Sequence, residues 1–214
     1  MRILALDASL AQCSAALWVD GAVVAERILP GERGHAATLP PMADAVLRAA
    51  GLNAPALSAV AAVVGPGGFT GIRAALALAE GIALAAGLPL VGVTTGEALR
   101  AGLPEALRTG PVWAAIDNRR GRVVLERFVP DAPAEALALD ALPPAPPGLV
   151  LTGDAAPLVA EALAARGEAA TLTDLRLPTA GAAAAVAALR LAGALPPRPA
   201  RPLYVEPPAV RLPG

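Results

Sequence analysis

Gly65-Pro66-Gly67-Gly68-Phe69-Thr70-Gly71-Ile72-Arg73 decides how the rest of the chain is read. Residues 58–64, before it, form a short apolar run of the kind that makes a strand buried on both faces. Residues 72–86, after it, are helical in pattern and are stopped by Gly87. A glycine-rich junction between strand and helix has two physical uses. It can aim backbone N–H groups at an anion, assisted by the helix dipole. It can also let a helix approach a sheet too closely for any side chain. The spacing is neither a Walker A loop, which needs Gly-Lys-Ser/Thr, nor a clean Gly-x-Gly-x-x-Gly. On the residues alone, both uses stay open.

Upstream, residues 3–7, 13–19 and 22–28 read as three strands, the last two joined by the tight-turn pair Asp20-Gly21. Leu39, Met42, Ala43, Val46, Leu47 and Ala50 then recur at helical spacing, predicting a helix over 38–50 with Thr38 as its N-cap. Pro40 and Pro41 require the first turn to lie there. His35 falls in a polar loop ahead of that helix. Downstream come a strand at 90–93 and a short helix at 96–101. Strands at 112–116 and 122–128 flank the turn Asp117-Asn118-Arg119-Arg120-Gly121. Residues 130–147 read as irregular. A strand at 149–152, helices at 155–166 and 180–191, and an extended tail from Pro196 complete the chain. The order predicts an α/β fold with mixed sheets in two lobes, residues 1–103 and a degenerate second lobe over 110–214.

Composition narrows the chemistry. Hydrophobic residues make up 56% of the 214, much of it alanine, and every basic residue is arginine. The longest charge-free stretch, 49–72, is broken by seven Gly or Pro residues, so no membrane span is expected. The acidic Asp7 is wrong for a signal peptide, which points to the cytoplasm. Without lysine there is no P-loop cation and no Schiff base. One cysteine, Cys13, and one histidine, His35, exclude a multi-thiolate zinc site. A net charge of −1 predicts no diffuse attraction to nucleic acid, leaving an indirect link or a local patch.

The helix at 72–86 carries charge only at Arg73 and Glu80. A helix apolar around most of its circumference needs cover on more than one side. A partner surface is therefore expected on Leu39, Met42, Ala43, Val46, Leu47, Ile72, Arg73, Leu76 and Glu80, two helices of this chain packing on two of another.

The nine residues quoted first resemble the Gly-Pro-Gly-Ser-Phe-Thr-Gly-Ile/Val-Arg signature of the TsaB (YeaZ) family, with Gly68 where serine is usual. The resemblance rests on Gly65, Pro66, Gly67, Phe69, Thr70, Gly71 and Arg73. It is supported by Ile3-Leu4-Ala5-Leu6-Asp7-Ala8-Ser9, by Gly87-Leu88-Pro89-Leu90-Val91-Gly92-Val93-Thr94-Thr95 and by the turn at 117–121. Pro202-Leu203-Tyr204-Val205 is similar to the family's closing Pro-x-Tyr-Leu-Arg. The resemblance implies an actin-like ATPase (ASKHA) fold. It also implies a dimerization subunit in the synthesis of threonylcarbamoyladenosine beside the tRNA anticodon. The implied partners are the catalytic paralogue TsaD, the ATPase TsaE, and a second copy of the chain when these are absent. Transfer RNA would be met through the complex. The paralogue's His-x-x-x-His metal motif would fall on residues 95–99, which hold Thr95 and Leu99 instead. No metal and no catalytic residue are then expected here, and ATP or ADP only at an interface.

Weaker candidates for a phosphate site are Asp7 with Ser9 and Ser14, and the turn Gly153-Asp154. Ser9 stands where active members of the wider fold keep the Gly of Asp-x-Gly. A strand-end turn is the plainer use of each. His35 titrates in the range of a general base, and capping or an interface contact is the alternative. Arg119, Arg120 and Arg122 suit phosphate, an acidic partner or a solvated hairpin tip. The rival from another class is a stand-alone actin-fold small-molecule kinase or glycoprotease-like hydrolase, for which Asp117 is the available carboxylate.

Overall fold

The computed structural model describes residues 1–206. The chain builds the same five-stranded sheet twice. In the first lobe β1 (Arg2–Leu10), β2 (Gln12–Val19) and β3 (Ala22–Pro30) form an antiparallel meander. After α1 (His35–Ala49), β4 (Ala59–Val63) pairs parallel to β1. After α2 (Phe69–Ala86), β5 (Leu90–Val93) pairs parallel to β4, giving the order β3-β2-β1-β4-β5. Two helices, α3 (Thr95–Gly102) and α4 (Glu105–Arg108), lead into the second lobe. There β6 (Val112–Asp117), β7 (Val123–Phe128) and β8 (Ala132–Leu137) repeat the meander. The parallel strands β9 (Val150–Thr152) and β10 (Thr171–Leu172) flank α5 (Ala156–Ala165), and the order is β8-β7-β6-β9-β10. The last helix among the described residues is α6 (Ala180–Leu191).

Central strands without polar alternation are what a sheet covered on both faces requires. Leu4, Leu6 and Ala8 of β1 face α1 and α2, packing with Leu39, Val46, Ile72, Ala75 and Ala79. Ile3 and Ala5 face the other way, against Ala180, Ala183, Ala184 and Ala187 of α6. Those four alanines are fully buried, and their size lets the helix lie close on the sheet. Much of the alanine in the composition is thus core.

Four expectations are corrected. First, α1 begins at His35, three residues before the expected cap. Gly34, at φ 85°, takes the left-handed turn that starts it, and its carbonyl accepts from the Ala37 and Thr38 amides. Pro40 and Pro41 therefore lie inside the helix, and the Thr38 hydroxyl bonds back to the Gly34 carbonyl instead of capping.

Second, residues 130–147 are not all irregular. β8 is an edge strand whose exposed and half-buried residues alternate. An edge strand tolerates Pro133, because an N–H facing away from the sheet is not missed. Third, the second lobe does not keep the chain's end. α6 lies on the first sheet; beyond it the Gly92 amide donates to the Arg198 carbonyl (3.0 Å), and the Leu203 amide to Val64 (2.8 Å). A Cβ on Gly92 would sit 2.5 Å from the Pro199 carbonyl oxygen, so that position fits only glycine.

The fourth correction concerns the partner stripe. Leu39, Ala43, Val46, Ile72 and Leu76 are buried in the chain's own core, and Met42 and Leu47 are half-buried against it. Only Arg73 and Glu80 of that set are exposed. The apolar stripe of α1 is used by its own sheet. α2 is long and apolar enough to cross a membrane by composition, at 18 residues and a mean hydropathy of 1.5, yet Gly71, Ile72, Ala75, Leu76, Ala79 and Ala83 face the sheet and α1.

Candidate functional site

The carboxyl ends of the central strands of both sheets meet at one cleft, the usual place for a site in parallel α/β architecture. It encloses about 420 Å³. The first lobe lines it with Ser9, the backbone of Gly67 to Gly71, and His35; the second with Asp117, Asn118, Arg119, Arg120 and Asp154. The structure thus gathers Ser9, His35, the signature residues 67–71, Asp117, Arg119, Arg120 and Asp154, and leaves Asp7, Ser14, Gly153, Arg122 and the partner stripe outside the lining.

The signature glycines are explained by packing. A Cβ on Gly71 would lie 2.0 Å from the Ala8 carbonyl oxygen, and one on Gly67 2.1 Å from that of Ser9. The Gly68 amide donates to the Ser9 carbonyl at 2.7 Å. The start of α2 therefore rests directly on the end of β1, and one amide available for an anion is already spent. Gly68 itself has 3.6 Å of clearance, so a serine there meets no obstacle. The second lobe repeats the device. A Cβ on Gly153 would be 2.2 Å from the Ala115 carbonyl oxygen, and the Ala155 amide donates to that same oxygen.

Asp7 is fully buried beneath the cleft. One carboxyl oxygen accepts the Ser9 amide at 2.9 Å, while the other, like the Ser9 hydroxyl, has no partner. Burial outweighs the bonds from Ser9 and pushes its pKa up to about 6. Asp154 accepts the Asp117 amide at 2.9 Å; its pKa is raised by burial. His35 is the first residue of α1 rather than part of a loop. It is buried against Gly71, and burial lowers its pKa, favouring the neutral ring. Cys13 lies under α1, its sulfur 3.8 Å from that of Met42.

The turn after β6 joins the lobes. Arg119 reaches Glu32 of the first lobe at 2.9 Å. Asn118 and Arg122 hold Glu206 of the returning tail at 2.8 and 3.0 Å. Sequence reasoning weighed the arginines without these acids, because nothing local marks Glu32 or Glu206 as their partners.

Behind the cleft, residues 95–99 are committed to structure. The Thr95 hydroxyl donates to the Pro66 carbonyl at 2.6 Å, and Leu99 is in the core. Thr94 and Glu97 form a capping box on α3. The Gly96 amide donates to Glu126 of β7 at 2.8 Å. Glu126 was missed from sequence. It is buried between the lobes, and desolvation pushes its pKa up to about 7. Glu97, by contrast, is held below its ordinary range by Arg190 and the Thr94 amide, against the opposing effect of burial. Among the described residues no three His, Cys, Asp or Glu side chains cluster as metal ligands.

The chain is similar to known proteins in sequence and in fold. The model of the family described as TsaD: tRNA N6-adenosine threonylcarbamoyltransferase matches residues 23–136. The tRNA threonylcarbamoyladenosine biosynthesis protein TsaB of Escherichia coli is 39% identical over 132 residues, 61% of this chain and 56% of that protein. The matched segment thus spans little more than half of that curated relative. A Pseudomonas aeruginosa protein described as similar to peptidase YEAZ superposes with a TM-score of 0.80 at 27% identity, covering 96% of this chain and 99% of that one. An activator of 2-hydroxyisocaproyl-CoA dehydratase from Clostridium difficile superposes at a TM-score of 0.53 and 10% identity, covering 91% and 96%, and shows the actin-like ATPase fold alone.

Proposed function

We propose, starting from a chain that belongs to the TsaB/YeaZ family, that it is a non-catalytic scaffold in tRNA threonylcarbamoyladenosine synthesis, docking on and activating a TsaD-type subunit. The observation that carries this is the outer face of α2. Ala77, Glu80, Gly81 and Leu84 are all exposed and fall on one side of the helix. Leu84 is 82% exposed, and the small residues before it leave room for another helix at close range. This face replaces the buried stripe as the docking surface.

In this reading ATP or ADP is held only where the subunits meet, TsaE and tRNA join through the complex, and the chain pairs with a second copy when TsaD is absent. The setting is the cytoplasm. The test is co-expression of Leu84→Glu and Ala77→Glu with the TsaD homologue of the same organism. Both variants keep the wild-type circular dichroism and lose co-purification. Folded variants that still capture the partner refute the docking face.

A further inference from the structure

The chain has only five aromatic residues, yet two of them, Phe69 and Tyr204, are 56% and 53% exposed. They come from opposite ends of the sequence and are brought together with ring centroids 6.1 Å apart. Arg73 fixes the pair. Its guanidinium lies 3.8 Å over the Phe69 ring, and its Nε donates to the Tyr204 hydroxyl at 3.1 Å. Arg120 lines a hollow with both rings and Asn118, and Arg201 shares a groove with Arg73. Among the described residues, none of Arg73, Arg120 and Arg201 pairs with a carboxylate within 4.0 Å. Glu206 lines the same hollow as Arg120 and is engaged by Arg122 and Asn118.

Exposed rings and unpaired guanidinium groups ask for a ligand that offers flat π faces and negative charge together. An acidic peptide would satisfy the arginines and leave the rings wet. An apolar helix would cover the rings and bury three unpaired charges, at a cost that such contacts do not repay. Single-stranded nucleic acid supplies both, through bases that stack on aromatic side chains and phosphates that meet arginine. We propose that Phe69, Tyr204, Arg73, Arg120 and Arg201 form a binding face for single-stranded nucleic acid. This is a local patch on a chain whose net charge of −1 gives no general attraction to polyanions. The proposal goes beyond the docking reading and does not depend on it, because the chain alone carries every residue involved.

The test is fluorescence anisotropy of the full chain with a labelled RNA single strand of about 12 nucleotides, its DNA counterpart and an RNA duplex, at several salt concentrations. Both single strands bind and the duplex binds less, its bases being already stacked. RNA binding more tightly than DNA assigns the source as RNA. Phe69→Leu and Tyr204→Leu each weaken binding about tenfold, within the range of a lost base stack. Arg120→Gln weakens it and lowers the slope of log affinity against log salt by about 0.7. Circular dichroism checks that each variant is folded. Silence of the wild-type chain at low salt overturns the proposal. So does equal binding of inorganic polyphosphate with wild-type behaviour of the two aromatic variants, which marks a cationic patch without stacking. Unchanged RNA affinity with loss of TsaD capture in Phe69→Leu also overturns it, in favour of a protein contact.

Discussion

The two lobes share one strand order and differ in almost everything laid over it. Strands of four to nine residues form the first sheet; the second makes do with two to six. Between its third and fourth strands the first lobe carries α1; the second has a 3₁₀ turn at Leu139–Ala141 and a proline-rich run containing Pro143, Pro144, Pro146 and Pro147. No helix survives four prolines in five residues. What both lobes keep is the glycine after the fourth strand, set against a carbonyl of the central strand: Gly67 and Gly71 on Ser9 and Ala8, Gly153 on Ala115. Helices were trimmed, while the contact that closes the cleft wall was retained. That contrast identifies the close approach of strand end and turn as what the architecture cannot give up.

The comparison is broken most severely by adding one methyl to each lobe. Gly71→Ala and Gly153→Ala each place a Cβ about 2 Å from a backbone oxygen that cannot retreat, with positive φ as a further penalty at Gly153. Each is expected to cost upwards of about 3 kcal/mol by urea denaturation. A cost near zero at Gly153 would show that the second lobe does not depend on the device. Ala43→Glu comes next. It puts a charge in the core under α1, and the expected result is loss of helical signal, with destabilisation of about 3 kcal/mol or more. Leu84→Glu, on the exposed side of α2, stays folded.

The pH profile sharpens the contrast further, because the junction between lobes holds a carboxyl that titrates unusually high. Glu126 has a folded pKa of about 7 against an ordinary 4.5, so the folded chain binds the proton more tightly than the unfolded one. Its contribution is fully present below pH 4.5 and is lost as pH rises through about 7. Asp7 adds a similar loss between 3.8 and about 6. Thermal melts from pH 4.5 to 8 should show falling stability, and Glu126→Gln should flatten the part between 6 and 7 that Asp7 does not explain. The smallest effect is expected for Gly68→Ser, within about 0.5 kcal/mol of wild type, because the position has clearance and an ordinary φ.

How much of this was legible depends on how local the signal was. The meander of the first lobe, the junction at 65–71 and α2 could be read because each is marked by periodicity or glycine within a few residues. β8 was hidden by short alanine-proline alternation that carries little hydrophobic contrast. The Arg119–Glu32 pair spans 87 residues and the Asn118–Glu206 pair 88, so neither has a sequence signature. The partner stripe was misplaced for a different reason. A helical stripe looks the same whether it faces its own sheet or a neighbour, and only the fold decides which. Asp7 and Ser9 stood out in sequence, but that Ser9 lines the cleft while Asp7 is fully buried beneath it depends on the fold, which sequence does not carry.

The position of α6 has a consequence for how the molecule is made. One face of the first sheet is covered by alanines numbered 180 to 187, which leave the ribosome only after the entire second lobe. Domains made in series can usually finish folding in the order of their synthesis. Here the lobe translated first waits with Ile3, Ala5, Ala59 and Ala61 uncovered until α6 arrives. A nascent chain stopped between Leu172 and Ala180 should therefore be bound by chaperones through its oldest residues, not its newest.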